Sequence, residues 1–348
     1  MIPAEGGGAA GYDFRPAPRG EDPRLPVADA ALDIIFKAYD IRGVYPDELD
    51  ESVARRVGNA LVSFTGAARI LVGHDARPSS EPLVAAFREG ATIAGADVLD
   101  LGIASTDLCY FAAGDLDAPA AMITASHNPP EYNGIKLCRA RAAPIGEETG
   151  LAEIKAMVAG ALLERAEDPG RVEHADLLPA FAAHVRSFVD VSALAPMRVV
   201  ADTANGVGGM VVPAVFAGLP FDLSILYGEL DGTFPNHPPD VMALENLADL
   251  RQAVLTEHAA VGLAFDGDAD RVVLVDDQGE VVSGSTTTAI LAAAMLARHP
   301  GEAVVHNVIC SKAVPEVIRE LGGKPVKSRV GHSFVKQVMA DTDAVLGG

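Results

Sequence analysis

Five times along the chain a short apolar run stops at a loop rich in hydrogen-bonding side chains. Arg69–Gly73 runs into His74-Asp75-Ala76-Arg77, Ala120–Thr124 into Ala125-Ser126-His127-Asn128, and Val199-Val200-Ala201 into Asp202-Thr203-Ala204-Asn205-Gly206. Val261–Phe265 runs into Asp266-Gly267-Asp268-Ala269-Asp270, and Ala303-Val304-Val305 into His306-Asn307. Stretches of helical period follow these loops. Strand alternating with helix points to an α/β architecture, because a parallel strand needs a long crossover to rejoin its sheet. In open α/β sheets, ligands bind in the crevice beyond the carboxyl ends of the strands. The chemistry is therefore expected in these loops.

A chain of 348 residues suits two or three domains. Asp176–Val191 has the spacing of a helix (Leu178, Phe181, Val185, Phe188), Ala193-Leu194-Ala195-Pro196 interrupts it, and a strand is predicted from Met197. A second break falls at Asp276-Asp277-Gln278-Gly279, ahead of a helix predicted over Thr288–Arg298. The expected segments are 31–190, 191–280 and 281–348. Residues 1–30, with Gly6-Gly7-Gly8 and several prolines, read as a disordered tail or a start codon placed too early. The third segment stops straight after the strand-like Ala344-Val345-Leu346, so the chain is expected to be incomplete.

Charge narrows the partners. With 48 acidic against 27 basic residues the net charge is −21, which opposes long-range attraction to a nucleic-acid backbone or an anionic membrane. Neither is expected as a partner, and an anionic substrate needs local compensation. Cys109, Cys138 and Cys310 form no Cys-x-x-Cys pair, which fits a reducing cytoplasm better than a disulfide framework. The longest helical apolar stretch, Ala289–Ala297, falls well short of the roughly 20 residues that span a bilayer. No basic segment followed by an apolar core marks a secretory signal near Met1.

The densest constellation is Asp266-Gly267-Asp268-Ala269-Asp270-Arg271. Three carboxylates at alternate positions on a turning loop can converge on one hard cation, and an all-oxygen set favours Mg²⁺ or Ca²⁺ over zinc. An EF-hand is excluded, because Arg271 stands where its sixth-position glycine is required and Asp277 where its glutamate is required. The second constellation is Thr124-Ala125-Ser126-His127-Asn128-Pro129, followed by Glu131-Tyr132-Asn133-Gly134 and Lys136. Ser126 at the end of a strand is a candidate nucleophile. Thr124 and Asn128 occupy the glycine positions of a hydrolase nucleophile elbow, which removes that reading.

Taken together these motifs resemble the α-D-phosphohexomutases, and within them bacterial phosphomannomutase/phosphoglucomutase. The resemblance rests on Phe36-Lys37-Ala38-Tyr39-Asp40-Ile41-Arg42-Gly43, Gly73-His74-Asp75-Ala76-Arg77-Pro78-Ser79, the Thr124–Lys136 segment and Asp266–Arg271. Asp202–Gly206 and Arg329-Val330-Gly331-His332-Ser333 support it. It implies tandem three-layer α/β/α domains, with the third incomplete and the fourth absent.

The resemblance also implies roles. Ser126 would be the phosphocarrier, exchanging a phosphoryl group with hexose monophosphates, mannose or glucose phosphate, through a hexose 1,6-bisphosphate that also serves as activator. Ser126, Asp266, Asp268 and Asp270 would hold Mg²⁺. Three carboxylates and a phosphate of about −2 against one dication leave about −3 at the site, which makes Arg42, Lys136 and Arg271 the natural counter-charges. Tyr39 and Arg42 would reach the site from the first domain, Lys136 would act in proton transfer, His127 would orient the serine loop, and Gly331 and His332 would meet the sugar. Asp75 and Arg77 are expected only to brace the first-domain core. The pattern departs from the dual-specificity enzymes in Asn307-Val308-Ile309-Cys310-Ser311-Lys312, where a lysine is expected near Ile309 and Lys312 would be its substitute. It departs again after Gly348, where a sugar-reading loop and a phosphate-gripping domain would follow.

Two other readings stay open from the residues. Asp266 and Asp268 also match the Asp-x-Asp of haloacid-dehalogenase phosphatases, nucleophile and acid, although Asp270 stands where Thr or Val is usual. The chain could also be an inactive remnant that binds only metal or a partner.

Overall fold

The computed structural model describes residues 29–160 and 163–348. Of the tail expected over 1–30, residues 1–28 lie outside the described residues. The first unit comprises α1 (Asp29–Ile35), β1 (Ile41–Val44), α2 (Glu51–Thr65), β2 (Arg69–His74), α3 (Ser80–Ile93), β3 (Asp97–Ile103), α4 (Thr106–Asp115), β4 (Ala120–Ile123), β5 (Tyr132–Cys138), α5 (Leu151–Ala159) and β6 (Val172–His174). Its six strands are ordered β1-β5-β4-β2-β3-β6, and only β5 runs against the others. A linking helix, α6 (Leu178–Ser187), leads into the second unit.

There β7 (Met197–Asp202), α7 (Gly208–Phe216), β8 (Phe221–Leu226), α8 (Ala248–Glu257), β9 (Val261–Phe265), β10 (Val272–Asp276) and β11 (Val281–Val282) form a sheet ordered β11-β10-β9-β7-β8. Only β10 is reversed. The third unit holds α9 (Gly284–Arg298), β12 (Ala303–Asn307), α10 (Ala313–Glu320), β13 (Lys324–Ser328), α11 (His332–Thr342) and β14 (Leu346–Gly347) around a parallel sheet ordered β13-β12-β14. All five polar loops leave the carboxyl ends of their strands, as the α/β reading requires.

Local chemistry sets the element ends. Asp50 caps α2 by accepting from Val53 N–H at 2.9 Å, and Ser105 caps α4 by accepting from Leu108 N–H at 3.1 Å. The helix predicted over Asp176–Val191 is shorter. Asp176 takes the Leu178 N–H at 3.0 Å and starts it there, and beyond Phe188 the Asp190 carboxylate takes the Ser192 N–H at 3.0 Å, turning the chain into a 3₁₀ segment. The helix predicted from Thr288 starts at Gly284 instead, because Ser283 Oγ accepts from Thr286 N–H at 3.1 Å ahead of a β-branched threonine run whose propensity hides it.

Apolar packing joins the first unit to the second. One face of the first sheet is covered by α2, α3 and α5 around Leu61, Phe87 and Ile154. On the other face Leu71, Leu99, Leu108 and Cys109 share one cluster with Phe181 of α6 and Val211 of α7. Arg186 of α6 adds hydrogen bonds from Nη1 to the carbonyls of Ala214 at 2.8 Å and Val215 at 3.1 Å. Phe181→Ala, which empties the centre of this joint, is expected to lower the unfolding free energy by about 3–5 kcal/mol in urea titrations followed by circular dichroism.

Candidate active site between the first two sheets

Past the end of β4 the chain turns through Ser126, whose φ of +53° lies in the left-handed region. This conformation is sparsely populated by non-glycine residues, and the surroundings enforce it. Thr124 Oγ1 accepts the Ser126 N–H at 2.9 Å and donates to Asp75 Oδ2 at 2.7 Å. Arg77, its side chain wholly buried, donates from Nη2 to the carbonyls of Ser126 at 2.8 Å and Asn128 at 2.7 Å. Its Nη1 donates to the carbonyls of Pro129 at 2.5 Å and Tyr132 at 3.0 Å, while Nε is paired with Asp75 at 3.0 Å. Asp75 and Arg77 therefore do more than brace a core: they hold the serine loop by its backbone.

The loop after β9 presses directly on this turn. A Cβ on Gly267 would fall 2.6 Å from the Ser126 carbonyl, and one on Gly206 would fall 2.6 Å from the Gly267 carbonyl. Glycine is required at both positions by the close approach of backbones. Across 140 residues of chain, Ser126 Oγ donates to Asp266 Oδ2 at 2.6 Å. Lys136 of β5 donates to Asp268 Oδ2 at 2.6 Å and Asp270 Oδ2 at 2.7 Å. Thr106, at the start of α4, also donates to Asp268 Oδ2, at 2.5 Å. Buried residues 126, 136, 266 and 268 thus meet with the partly exposed Asp270.

The electrostatics follow from that burial. Burial first, and then the charges of Asp268 and Asp270, push the Asp266 carboxyl well above the usual carboxylate range. Burial works in the same direction on Asp268, but Lys136 and the Thr106 hydroxyl overcome it and hold Asp268 far below that range. Burial alone would depress Lys136, and the two carboxylates facing it reverse the sign and keep it firmly protonated.

Around this centre Arg42 donates from Nη1 to Asn128 Oδ1 at 2.6 Å and pairs through Nη2 with Asp40. Arg271 donates from Nη1 to His127 Nδ1 at 2.8 Å, and that nitrogen lies 3.4 Å from Ser126 Oγ. Burial, reinforced by Arg271 and Arg42, holds His127 below its ordinary pKa. Tyr39 stands farther out, edge-on to Phe334 of the third unit at 6.0 Å between ring centroids, with Gly331 beside it. The His332 side chain lies outside the described residues. Ile309 is 74% exposed in the turn after β12, and Lys312 is exposed nearby. Sequence reading missed Thr106 and Asn128. The first was marked only by lying just past a strand in a Ser-Thr helix cap, and the second only by its neighbour Ser126.

The donor set fits a hard dication. One oxygen from each of Asp266, Asp268 and Asp270 lies within 4.8 Å of the others, and Asp268 Oδ1 and Asp270 Oδ1 are buried with no hydrogen-bond partner. Orphaned carboxylate oxygens of this kind are unfavourable unless a ligand satisfies them, and an oxygen-only set suits Mg²⁺.

Three sequence profiles match the chain in order: Phosphoglucomutase/phosphomannomutase, alpha/beta/alpha domain I over residues 33–163, domain II over 179–279 and domain III over 283–348. The chain belongs to the α-D-phosphohexomutase family. Among similar members of that family, a protein named "Phosphohexose mutases" from Xanthomonas campestris pv. campestris is 40% identical over 315 residues, covering 90% of this chain and 70% of that protein. The phosphomannomutase of Escherichia coli strain K12 is 38% identical over 321 residues, with coverage of 90% and 70%. The crystal structure of a phosphoglucomutase/phosphomannomutase family protein from Burkholderia thailandensis superposes with a TM-score of 0.83 at 34% identity, again covering 90% of this chain and 70% of the other. This phosphohexomutase chain thus spans about 70% of the length of these relatives. Its α/β/α domains and phosphohexomutase character follow from the match, and no helix among the described residues is long and apolar enough to cross a membrane.

Two outcomes are expected of the site. Mg²⁺ at a hundred-fold excess over its Kd should stabilise the wild-type chain by about 2.7 kcal/mol, raising the thermal midpoint, whereas Asp268→Asn should show no such rise. Arg77→Met strands the Asp75 carboxylate and should cost about 3–5 kcal/mol in urea unfolding.

Proposed function

We propose that the chain is a phosphomannomutase/phosphoglucomutase-type enzyme that interconverts hexose 6-phosphate and hexose 1-phosphate, with Ser126 as the phosphocarrier. The observation that carries this reading is the 2.6 Å contact of Ser126 Oγ with Asp266, beside Lys136 bound to Asp268 and Asp270. Phosphoserine donates to a free hydroxyl of the bound hexose monophosphate: the bond from phosphorus to Oγ breaks as a bond from phosphorus to the sugar oxygen forms. Lys136, protonated at rest, gives its proton to the departing Oγ and takes the proton of the sugar hydroxyl, so charge and protons balance. The hexose 1,6-bisphosphate then returns its other phosphoryl group to Ser126 by the reverse step, and the net change is isomerisation. Added bisphosphate acts as activator by restoring phosphoserine to enzyme that has lost it.

Ser126, Asp266, Asp268 and Asp270 would hold Mg²⁺, which when bound supplies positive charge against a phosphoryl oxygen. Phosphoryl transfer depends mainly on positioning and charge neutralisation. In this reading Arg42 and Arg271 would supply both to the phosphate, His127 would fix the turn, and Tyr39, Gly331 and His332 would meet the sugar. Mannose and glucose phosphates are the proposed substrates. A cytoplasmic setting is proposed with them, supported by three free cysteines, Cys109, Cys138 and Cys310.

Incubation with glucose 1,6-bisphosphate and Mg²⁺ should add one phosphoryl group to the intact protein by mass spectrometry, on Ser126, and Ser126→Ala should abolish it with an unchanged circular dichroism spectrum. Phosphate on another residue would refute the assignment. Steady phosphate release that needs Asp266 and ignores Ser126 would favour the haloacid-dehalogenase alternative, and self-association without phosphoryl uptake the inactive remnant.

A further inference from the structure

Helix α4 serves two masters in this fold. At its first residue Thr106 grips the loop of carboxylates through the Asp268 side chain, and its backbone N–H donates to the Asp268 carbonyl at 3.1 Å. One turn on, Tyr110 meets a side chain from a different unit: the ammonium of Lys336, on α11, sits 3.8 Å from the centroid of the Tyr110 ring. The charges of Asp107, one turn before Tyr110 on α4, and of Asp270 in the carboxylate loop act favourably on that ammonium, and that of Lys136 unfavourably. Two residues earlier on α11, Phe334 stands edge-on to Tyr39, and a Cβ on Gly331 just ahead of the helix would lie 3.3 Å from the Tyr39 hydroxyl. The helix therefore bridges the two first-unit elements that flank the cleft.

Burial disfavours the charge of this half-buried lysine, and Asp107, Asp270 and the ring quadrupole offset only part of that cost. Lys136 adds to that cost. The contact ties the third unit to the helix that holds Asp268, and it brings a further positive charge to the edge of a centre short of positive charge.

Building on the phosphoserine reading above, we propose that Lys336 is a positioning residue for phosphoryl transfer, clasping α11 onto Tyr110 so that the third unit closes over the cleft in register with the carboxylate loop. Lys336 touches neither Ser126 nor the metal ligands in this role. It acts on the approach of a dianionic sugar phosphate, by fixing the wall that α11 forms and by its charge.

Two measurements on the full chain test this. The first is a double-mutant cycle in urea unfolding with Lys336→Met and Tyr110→Leu. A clasp predicts that the two changes are non-additive by about five-fold in the unfolding constant, while Lys336→Arg, which keeps a cation over the ring, retains most of the coupling. The second is the rate of Ser126 phosphorylation against glucose 1,6-bisphosphate concentration. Lys336→Met should raise the half-saturating concentration about ten-fold and leave the limiting rate within about two-fold, and Lys336→Arg should restore it. Additive unfolding effects, or a half-saturating concentration unmoved by Lys336→Met, overturn the proposal. A wild-type chain that takes up no phosphate while the unfolding cycle stays coupled supports the clasp and counts against the phosphoserine reading instead.

Discussion

Three carboxylates, two buried and Asp270 partly exposed, each with an oxygen within 4.8 Å of the others, repel strongly where the dielectric constant is low, and the rest of the site can be read as the answer to that repulsion. Lys136 neutralises two of them from the floor of the first sheet, Thr106 satisfies an oxygen of one, and Ser126 and the Arg271 backbone N–H satisfy the third. None of these partners belongs to the loop's own sheet except Arg271. The carboxylates of the acidic turn in the second unit are thus satisfied largely by side chains of the first. The apolar cluster of Phe181 and Val211 with Leu71 and Leu108 has a functional consequence far from where it lies, since it holds the two halves of the charge balance together.

Much of this was legible in the residues. Strand–loop alternation located the loops, and three aspartates at alternate positions located the acidic turn, because both signals are local in the chain. The serine motif was weak by itself and became specific only beside the aspartate motif. What stayed hidden was carried by contacts between distant segments. Arg77 looked like a core brace in its own loop, and only the folded chain shows it spanning four carbonyls of the next one. Thr106 carried no chemical signature beyond a helix cap, and its link to Asp268 crosses 162 residues. The three misjudged helix limits were decided by single side chains, Asp176, Asp190 and Ser283, that periodicity does not register.

The third unit makes a contrast with the first two. Its core is small, centred on Leu296, Val304, Val314 and Ile318, and its contacts to the site run through α11 at Tyr39 and Tyr110. An element held by a few aromatic and charged contacts can shift with little loss of apolar burial. The serine and aspartate loops, locked by backbone contacts at Gly206 and Gly267, have no such freedom.

The backbone at Ser126 carries an implication for the chemistry proposed for this residue. Threonine offers an equally good oxygen for esterification, but its branched β-carbon crowds a left-handed backbone that an unbranched side chain tolerates. Alcohols are not interchangeable at this turn, and a phosphothreonine lineage of the same scaffold would have to rebuild the loop before it could swap the residue.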